Sequence, residues 1–488
     1  MNKPIRTMSI FCLVLFTLLL LNSTYLQYVD AGDLNSRADN KRVRDAEFSR
    51  KRGAIVVDGT SVAESVKVKD PYQYQRTYKQ PQKYAQLTGF YSYIYGRSAV
   101  EASQNQILSG SDPRLFVNRV VDMIGNSQPK GGSVSLTVDP KAQEAAFDGL
   151  RALGTDVTGA VVALEPSTGK VLAMVSSPTY DPNQLASHDF DSVQRSWKQL
   201  NAAESRPLLN RGVQEVFPPG STFKLVTAAA ALSSGQYTPD TVVKGGTRLD
   251  LPQTSTDLVN DGGSNCGGDR ITLTQALEVS CNVSFGDIGL RLGGDALRTQ
   301  AERFGFDHTS LKDLNGQVGS RFPTDPDEPQ TALSAIGQFD VAATPLQMAM
   351  VTAGIANGGT VMRPYVVDEV RAPDLSVLDK TSPEAYRSNA VSSSVARDLT
   401  QMMIEVVDQG SSSPAQIPGV KVAGKTGTAQ SAPERPPYAW FVSFAPADDP
   451  KVAVAVLVED AGVARDAISG SGLSAPIAKR VMEAVIGQ

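Results

Sequence analysis

The sequence predicts an α+β protein in which helices cover one antiparallel sheet, preceded by an irregular N-terminal domain and one apolar N-terminal helix. Helical patterns dominate the stretch from Ser221 to about Ala356. Apolar strand patterns lie on both sides of that stretch, at residues 159–164, 171–175, 418–423, 439–444 and 452–458. Strands at both ends of a segment with helices between them indicate a single sheet that helices cover.

Composition narrows the class of protein before any motif is considered. A chain of 488 residues exceeds one ordinary domain, so we expect two folded domains. A net charge of -5 gives no sign of the basic surface that proteins use to bind nucleic acid. The only histidines are His188 and His308, which argues against a histidine-based triad or a histidine-rich zinc site. We therefore predict no cofactor and no metal.

The N-terminus combines a short charged tail with an apolar run. Lys3 and Arg6 precede an uncharged stretch over residues 8–29, about 22 residues and long enough to cross a bilayer. We predict a cytoplasmic tail at residues 1–7 and a single transmembrane anchor at residues 8–29. The alternative is a cleaved signal peptide with its apolar region at residues 10–21 and a cleavage site near Ala31. Either interpretation places the rest of the chain outside the cytoplasm.

Residues 30–133 form a predicted separate, irregular domain. A basic run at residues 37–52 leads into a short strand that ends at the turn dipeptide Asp58-Gly59. We interpret the run as a solvated surface, while its place beside the anchor keeps a lipid-binding patch open. Tyr91, Tyr93 and Tyr95 follow, and we interpret them as packing between extended segments.

Residues 134–488 form the predicted second domain, where the pattern becomes regular. Residues 133–138 alternate like a strand, and Asp139-Pro140 begins a helix that runs to Leu153. The strands at 159–164 and 171–175 form a hairpin around a Pro-Ser-Thr-Gly turn. A helix over residues 474–486 closes the chain.

The domain is organised around Pro218-Pro219-Gly220-Ser221-Thr222-Phe223-Lys224. The prolines and glycine stop the preceding element, and the Ala-rich run at residues 225–232 favours a helix that is apolar on all sides and therefore buried. Ser221 would lie at the helix N-terminus with Lys224 on the same face. A hydroxyl and an amine held side by side can form a nucleophile and its base.

Two further motifs follow in order, Ser280-Cys281-Asn282 and Lys425-Thr426-Gly427, the second followed by Thr428. Each pattern is weak alone, and the chain contains decoys: Ser167-x-x-Lys170 in the predicted hairpin turn and Ser103-x-Asn105 in the N-terminal domain. Ser-x-x-Lys, Ser-x-Asn and Lys-Thr-Gly in this order are the signature of penicillin-binding proteins and serine β-lactamases.

The chain resembles the class B penicillin-binding proteins over nearly its whole length. Further matching segments are residues 52–59, 136–139, 162–173, 210–211, 336–338, 344–347, 423–429 and 439–442. The resemblance implies a DD-transpeptidase domain on an N-terminal pedestal, without the glycosyltransferase domain of class A relatives. Cys281 stands where many relatives have Asp or another polar residue, a position that varies among them.

The resemblance also implies the reaction. The substrate would be a peptidoglycan stem peptide ending in D-Ala-D-Ala, which β-lactams mimic covalently. Ser221 would attack as nucleophile, and Lys224 would act as base if burial beside Lys425 lowers its pKa. Ser280 would relay a proton between Lys224 and the leaving amine.

The same resemblance assigns substrate contacts. Asn282 would hold a substrate amide, and the cation and hydroxyls of Lys425, Thr426 and Thr428 would bind the terminal carboxylate. Gly427 would let the substrate backbone approach the strand. The backbone N–H groups of Ser221 and Thr428 are the predicted oxyanion hole.

Cysteine use points to a crosslink beside the second motif. Cys12 lies in the apolar N-terminal run, and Cys266 and Cys281 are the only cysteines beyond it. An even number in an oxidising compartment predicts a disulfide between them. The alternative is two free thiols, with Cys281 small and buried.

Several other functions share part of this pattern. A β-lactamase must hydrolyse its acyl-enzyme, and the Glu-x-x-Leu-Asn segment that class A enzymes use for this purpose is absent between Ser280 and Lys425. A membrane β-lactam sensor usually has several spans and a signalling domain. A DD-carboxypeptidase cannot be separated by motifs alone. The resemblance further implies a SEDS-type membrane glycosyltransferase and division or elongation proteins as partners.

Overall fold

The computed structural model describes residues 3–30, 41–125, 130–430 and 435–487. Its helices are α1 (Lys3–Tyr28), α2 (Lys41–Phe48), α3 (Pro81–Thr88), α4 (Ala99–Ser103), α5 (Asn105–Ser109), α6 (Phe116–Ile124), α7 (Pro140–Arg151), α8 (Asn183–Ala186), α9 (Phe190–Ala202), α10 (Lys224–Ser233), α11 (Leu273–Glu278), α12 (Asn282–Leu292), α13 (Gly294–Arg303), α14 (Glu328–Ala335), α15 (Pro345–Ala356), α16 (Ser393–Asp408) and α17 (Ala475–Ile486).

The strands are β1 (Ile55–Val57), β2 (Thr60–Lys67), β3 (Tyr74–Tyr78), β4 (Tyr91–Ser92), β5 (Gly96–Arg97), β6 (Ser133–Leu136), β7 (Thr158–Leu164), β8 (Val171–Ser177), β9 (Val242–Lys244), β10 (Arg248–Asp250), β11 (Asp257–Val259), β12 (Arg270–Thr272), β13 (Val361–Met362), β14 (Val367–Arg371), β15 (Val377–Lys380), β16 (Ala385–Arg387), β17 (Ala423–Ala429), β18 (Tyr438–Ala445) and β19 (Val452–Asp460).

The central sheet has five strands in the order β17-β18-β19-β7-β8, and all neighbouring pairs are antiparallel. β7 and β8 form a hairpin in which Val162 lies opposite Met174. β19 joins the two halves, since its Ala455 pairs with Val442 on one side and with Val162 on the other. Strands distant in sequence thus form one sheet, and the predicted α+β fold is confirmed.

Alternate side chains of these strands enter two separate apolar cores. Val162 and Val442 belong to a core that also contains residues of α10, α15 and α16. Val161 and Phe441 belong to a second core with residues of α7 and α17. Because both faces are covered, the strands are almost continuously apolar, which is why the sequence pattern reveals them.

A second sheet runs in the order β15-β14-β6-β1-β2-β3. β6 pairs in parallel with β1 and antiparallel with β14. The predicted strand at 133–138 therefore lies outside the central sheet, and the expectation of a single sheet was wrong in this respect. A four-residue alternating pattern indicates a strand and contains no information on its distant partner. The predicted division between residues 133 and 134 falls inside β6.

The end of the basic run docks on the N-terminal domain. Phe48 of α2 stacks on Tyr91 with 4.3 Å between ring centroids. Arg52 is buried, lies over the same ring at 4.1 Å and donates from Nε to Glu101 at 2.6 Å. Tyr91 thus packs between α2 and the domain, with a buried ion pair beside it.

Two predicted elements differ from the structure. Residues 242–272, within the stretch predicted to be helical, contain the small antiparallel pairs β9–β12 and β10–β11. These strands are three residues long and bury only their central residue, too little for a period to show. The predicted strand at 418–423 is a turn in which Val420 N donates to Ile417 O at 3.1 Å, and β17 begins only at Ala423.

The N-terminal helix α1 has 26 residues and a mean hydropathy of 2.1 over its most apolar window, which is long and apolar enough to cross a membrane. A signal sequence passes the same test, so both interpretations of this segment stay open. Ala31 at the alternative cleavage site and Arg37 at the start of the basic run lie outside the described residues.

Candidate active site

Ser221 lies on a tight turn at the foot of a buried helix. Residues Gly220–Phe223 form a 3-10 turn, and α10 begins at Lys224. Gly220 has φ +52 and donates its N–H to Gly337 O at 3.0 Å. A Cβ at Gly220 would lie 2.9 Å from the Cβ of Ala429, so only glycine lets the turn approach the end of β17.

The Pro218-Pro219 segment fixes the entry to this turn. The indole Nε1 of the fully buried Trp440 donates to Pro218 O at 2.9 Å. Thr222 Oγ1 donates to Pro219 O at 2.7 Å. Ser221 is thereby held at the wall of a cleft of about 590 Å³ whose other lining residues include Asn282 and Thr428. The structure thus brings together residues from three predicted motifs.

Lys224 is completely buried below this cleft. Its Nζ lies 2.6 Å from Ser280 O, 2.7 Å from Asn282 Oδ1 and 3.2 Å from Ser280 Oγ. The Ser-x-x-Lys and Ser-x-Asn motifs are therefore joined through the amine.

Ser280 forms the junction between the second and third motifs. It connects α11 to α12 with φ +58, a left-handed conformation unusual for serine. Its Oγ lies 2.9 Å from Lys425 Nζ and 3.2 Å from Lys224 Nζ. One hydroxyl therefore contacts two amines, an arrangement through which a proton can pass.

The Lys425-Thr426-Gly427 motif lies on β17, where its side chains alternate in direction. Lys425 Nζ is buried and also donates to Thr426 O at 3.0 Å. Gly427 lies beneath the serine turn, since a Cβ there would be 2.9 Å from Thr222 Cγ2. Thr428 lines the cleft, whereas Thr426 is buried with its hydroxyl 3.1 Å from Ser411 Oγ.

Burial changes the protonation of both lysines. Desolvation, and secondarily the charge of Lys425, lowers the pKa of Lys224 well below its ordinary value, while Asp261 opposes the change. Desolvation lowers the pKa of Lys425 to about 7, again opposed by Asp261. Both shifts favour the neutral form of the amine, which can accept a proton.

The decoy motifs lie elsewhere. Ser167 and Lys170 lie in the turn between β7 and β8, where Lys170 Nζ forms an ion pair with Asp368 at 3.3 Å. Ser103 Oγ donates to Asp313 O at 2.7 Å, and Asn105 Oδ1 accepts from Arg52. Neither pair lines the cleft.

Comparison with known proteins settles the family. Residues 159–483 match the penicillin binding protein transpeptidase domain, and residues 52–134 match the penicillin binding protein A dimerisation domain. The chain is 44% identical to the peptidoglycan D,D-transpeptidase PbpA of Mycolicibacterium smegmatis, with 100% of this chain and 99% of that protein covered. The chain belongs to the class B penicillin-binding proteins.

Solved structures show the same fold. Penicillin-binding protein A from M. tuberculosis as its penicillin G acyl-enzyme complex superposes with a TM-score of 0.84 at 42% identity, covering 90% of this chain and 100% of that chain. The imipenem acyl-enzyme complex superposes with a TM-score of 0.85 at 43% identity, with 90% and 100% covered.

The pH dependence of acylation should reflect both lysines of this penicillin-binding protein. With Lys224 as the expected base, acylation should fall when the pH drops through its pKa, because only the neutral amine accepts a proton. With Lys425 as the expected carboxylate-binding cation, acylation should fall when the pH rises through its pKa. We expect a bell-shaped profile for the second-order rate constant of acylation by penicillin G, measured by stopped-flow fluorescence.

Asp261→Asn should move this whole profile to lower pH, because Asp261 raises the pKa of both lysines. Asp257→Asn is the matched control, since Asp257 lines the same cleft but forms an ion pair with Arg248 at 3.4 Å. An unchanged profile for Asp261→Asn, or an equal shift for both variants, would contradict the assignment of Asp261.

The predicted disulfide is present in the structure. Cys266 and Cys281 are bonded across 15 residues, and this bond connects the loop at residues 261–268 to the residue between Ser280 and Asn282. Cys281 is buried and precedes α12 directly. The bond therefore restrains one wall of the cleft and the residue that contacts both lysines.

Removing this bond with Cys266→Ser and Cys281→Ser together should lower the free energy of unfolding by about 3 kcal/mol, the loop-closure contribution for a closed loop of this length. Acylation should slow in parallel, because Ser280 loses a restraint on its left-handed conformation. Urea unfolding monitored by circular dichroism, with and without reductant, measures the first effect. A double variant as stable as the oxidised protein would contradict it.

Some residues of the site had no recognised sequence signal. The buried Asn260 donates to Gly246 O at 2.8 Å and Ser264 O at 2.7 Å, and accepts from Val283 N at 3.1 Å. It supports the loop that contains Asp261. Phe339, with φ +62, lines the cleft beside Ile336 and Gln338. The loop itself, residues 261–268, was predicted as the segment that the disulfide ties to Ser280-Cys281-Asn282, and its Asp-Gly-Gly start is a turn signal.

Proposed function

We propose that this chain cross-links peptidoglycan by D,D-transpeptidation through an acyl-enzyme on Ser221. The observation that supports this most is the buried pair of lysines that share the Ser280 hydroxyl below Ser221. The family relationship supports the reaction class, since the relatives are named peptidoglycan D,D-transpeptidases and related structures hold β-lactams as acyl-enzymes.

Acylation begins when Ser221 Oγ attacks the carbonyl of the penultimate D-Ala. The hydroxyl proton passes to the neutral Lys224, and a C–O bond forms. The N–H groups of Ser221 and Thr428 stabilise the resulting oxyanion. The C–N bond then breaks, and the leaving D-Ala nitrogen takes a proton from Lys224 through Ser280. This leaves Lys224 neutral again.

Deacylation by an amine completes the cross-link. An amine of a neighbouring stem peptide attacks the acyl carbon and loses its proton along the same Ser280 and Lys224 route. The new C–N bond joins the two peptides as the ester C–O bond to Ser221 breaks, and Ser221 Oγ takes the proton that Lys224 received from the amine. The enzyme returns to its starting state without any further reactant.

Substrate binding uses the residues around this path. Lys425 supplies the cation for the terminal carboxylate, with the hydroxyl of Thr428 at the cleft wall. The expected contact of Thr426 is dropped from the proposal, because its hydroxyl is buried 3.1 Å from Ser411 Oγ. Asn282 accepts from Lys224 and donates to Val259 O at 3.0 Å, which leaves one N–H and one lone pair for a substrate amide. Gly427 keeps β17 open to the peptide backbone.

A reaction in which water and an added amine compete as acyl acceptors distinguishes the candidate activities. Purified full-length chain receives a donor pentapeptide ending in D-Ala-D-Ala and an amine acceptor, and products are identified by mass spectrometry. Transpeptidation gives the cross-linked dimer. Release of the tetrapeptide alone would indicate a DD-carboxypeptidase, and rapid hydrolysis of penicillin would indicate a β-lactamase. A chain that binds penicillin stably but converts neither the pentapeptide nor penicillin would be a β-lactam sensor.

We also propose how the chain is arranged in the cell. Residues 1–7 remain cytoplasmic, residues 8–29 cross the cell membrane once, and residues 30–133 act as a pedestal for the extracellular catalytic domain at 134–488. The long apolar helix α1 and the family relationship support this arrangement. A cleaved N-terminus, detected by N-terminal sequencing of the membrane-extracted protein, would contradict it.

The proposed partner is a membrane glycosyltransferase of the SEDS class, within the machinery of division or polar growth. The support is the resemblance to class B penicillin-binding proteins, which lack a glycosyltransferase domain of their own. Co-purification from membranes in mild detergent tests this partner. Loss of the glycosyltransferase during that purification, with activity intact, would count against the pairing.

A further inference from the structure

Helix α6 in the pedestal exposes its apolar residues to the outside. Four of its apolar side chains are 62%, 69%, 62% and 83% exposed, namely Phe116, Val117, Val121 and Ile124. With 3.6 residues per turn these positions lie on one side of the helix. Most surface helices bury such a stripe and expose the polar side.

The polar side of α6 contacts the protein instead. Asn118 Nδ2 donates to Asp374 Oδ2 at 3.0 Å, and Arg119 donates to Gly110 O at 3.2 Å. Leu375, next to Asp374 in the turn between β14 and β15, is 68% exposed. This reversed orientation leaves the four apolar α6 residues facing away from the domain, and the exposed Leu375 lies on the turn that α6 contacts through Asn118.

This surface lies near the stem that leads to α1. Gly131 N donates to Lys51 O at 3.0 Å, and Lys51 closely follows α2. Gly131 is seven positions after Ile124, a span of at most about 25 Å. The end of α6 is therefore within that distance of the stem.

The stem itself is short. Asp30 follows α1, and α2 begins at Lys41, so the connection between them extends at most about 40 Å. Because α2 docks on the pedestal through Phe48, this connection limits the distance between the pedestal and the bilayer that α1 is proposed to cross. Helix α6 and the stem are neighbours within the pedestal, because Arg119 donates to Gly110 O at 3.2 Å and a Cβ at Gly110 would lie 2.7 Å from Lys130 O, next to the bond between Gly131 and Lys51.

Positive charge accompanies the apolar surface. Lys51 and Lys130 are exposed and lie on neighbouring segments joined by the bond between Gly131 and Lys51. Lys41 is exposed at the start of α2. Lysines beside an apolar helix face suit the anionic headgroups of a membrane surface.

We propose that the apolar face of α6, together with Leu375, inserts into the surface of the lipid bilayer and gives the pedestal a second membrane contact. This inference rests on the proposed membrane anchoring by α1. The contact fixes the orientation of the pedestal, and with it the height at which the catalytic cleft meets the cell wall.

The test uses the full chain with Cys12→Ser, inserted one copy per nanodisc of phosphatidylcholine and phosphatidylglycerol. A single cysteine replaces Val121 and receives a bimane fluorophore under non-reducing conditions. Lipids brominated along their acyl chains serve as quenchers. We expect quenching at Val121→Cys to be several-fold stronger than at Val463→Cys, a 41% exposed valine of the catalytic domain.

Adding Val117→Glu to the labelled chain should abolish the excess quenching without unfolding the domain, because this side chain contacts solvent. Equal quenching at both labels would overturn the proposal. The proposal would also be overturned if the Val121→Cys label became shielded from solvent only in discs that hold two copies of the chain. That result would assign the surface to a second copy of the chain. If the chain does not stay in the discs, α1 is not a membrane anchor, and the proposal that rests on that anchor is overturned. The rate of penicillin acylation in the same discs reports the catalytic function independently.

Discussion

Replacing Ser221 with alanine is expected to lower the rate of acylation by penicillin by at least about 10⁶-fold, the order of magnitude lost when the nucleophile of a serine protease is removed. The loss should be almost complete because covalent attachment needs the Ser221 oxygen, which the cleft residues cannot replace. Ser221 is only partly buried, so the variant should unfold at the same temperature as the wild type.

The chain offers a matched control for this experiment in its second Ser-x-x-Lys sequence. Ser167→Ala removes the same atoms from the turn between β7 and β8 and should leave acylation unchanged. Labelling with fluorescent penicillin, followed over time on denaturing gels, measures both variants. Retention of wild-type labelling by Ser221→Ala would contradict the assignment of the nucleophile.

Replacing Lys224 with methionine is expected to slow acylation by about 10²–10⁴-fold, the range that a general base contributes. Methionine fills similar space in the buried position but cannot accept the proton of Ser221. The variant should still bind penicillin before reaction, because Lys425 and Thr428 remain. A saturation experiment therefore places the loss in the rate constant for acylation rather than in the dissociation constant.

The variant also loses the acid limb of the pH profile, which a merely structural role for Lys224 would not predict. The temperature of thermal unfolding should be measured alongside the kinetics, because Ser280 O and Asn282 Oδ1 lose a hydrogen-bond donor in Lys224→Met. Lys170→Ala is the control on the decoy motif, and its acylation rate should equal that of the wild type. A folded Lys224→Met variant with a wild-type acylation rate would exclude Lys224 as the base.

The sequence predicted most of the candidate site because its residues stand in short local motifs. A serine and a lysine three positions apart at the start of an apolar helix must lie near each other, and the order of the later motifs supplied the remaining residues. The structure adds the 3-10 turn at Ser221. Such a turn has no periodic signature, and its shape depends on Gly220 contacting the distant Gly337 and Ala429.

The parts that could not be predicted depend on contacts between distant segments. β6 joins a sheet with β1 and β14 because of hydrogen bonds to strands about 80 and 230 residues away, which a local pattern cannot encode. The effect of Asp261 on both lysines likewise arises from a loop that Asn260 and the disulfide hold over the cleft. The contact of Thr426 with Ser411 follows from the position of α16 beside β17.

The measurement that tests the account most directly is the position of the acyl group on the protein. The full chain is incubated with penicillin G, digested, and analysed by tandem mass spectrometry. We predict one modified peptide, with the penicilloyl group on Ser221 and unmodified Ser167 and Ser280. A penicilloyl group on any other residue, or none on a folded chain, would contradict the central claim.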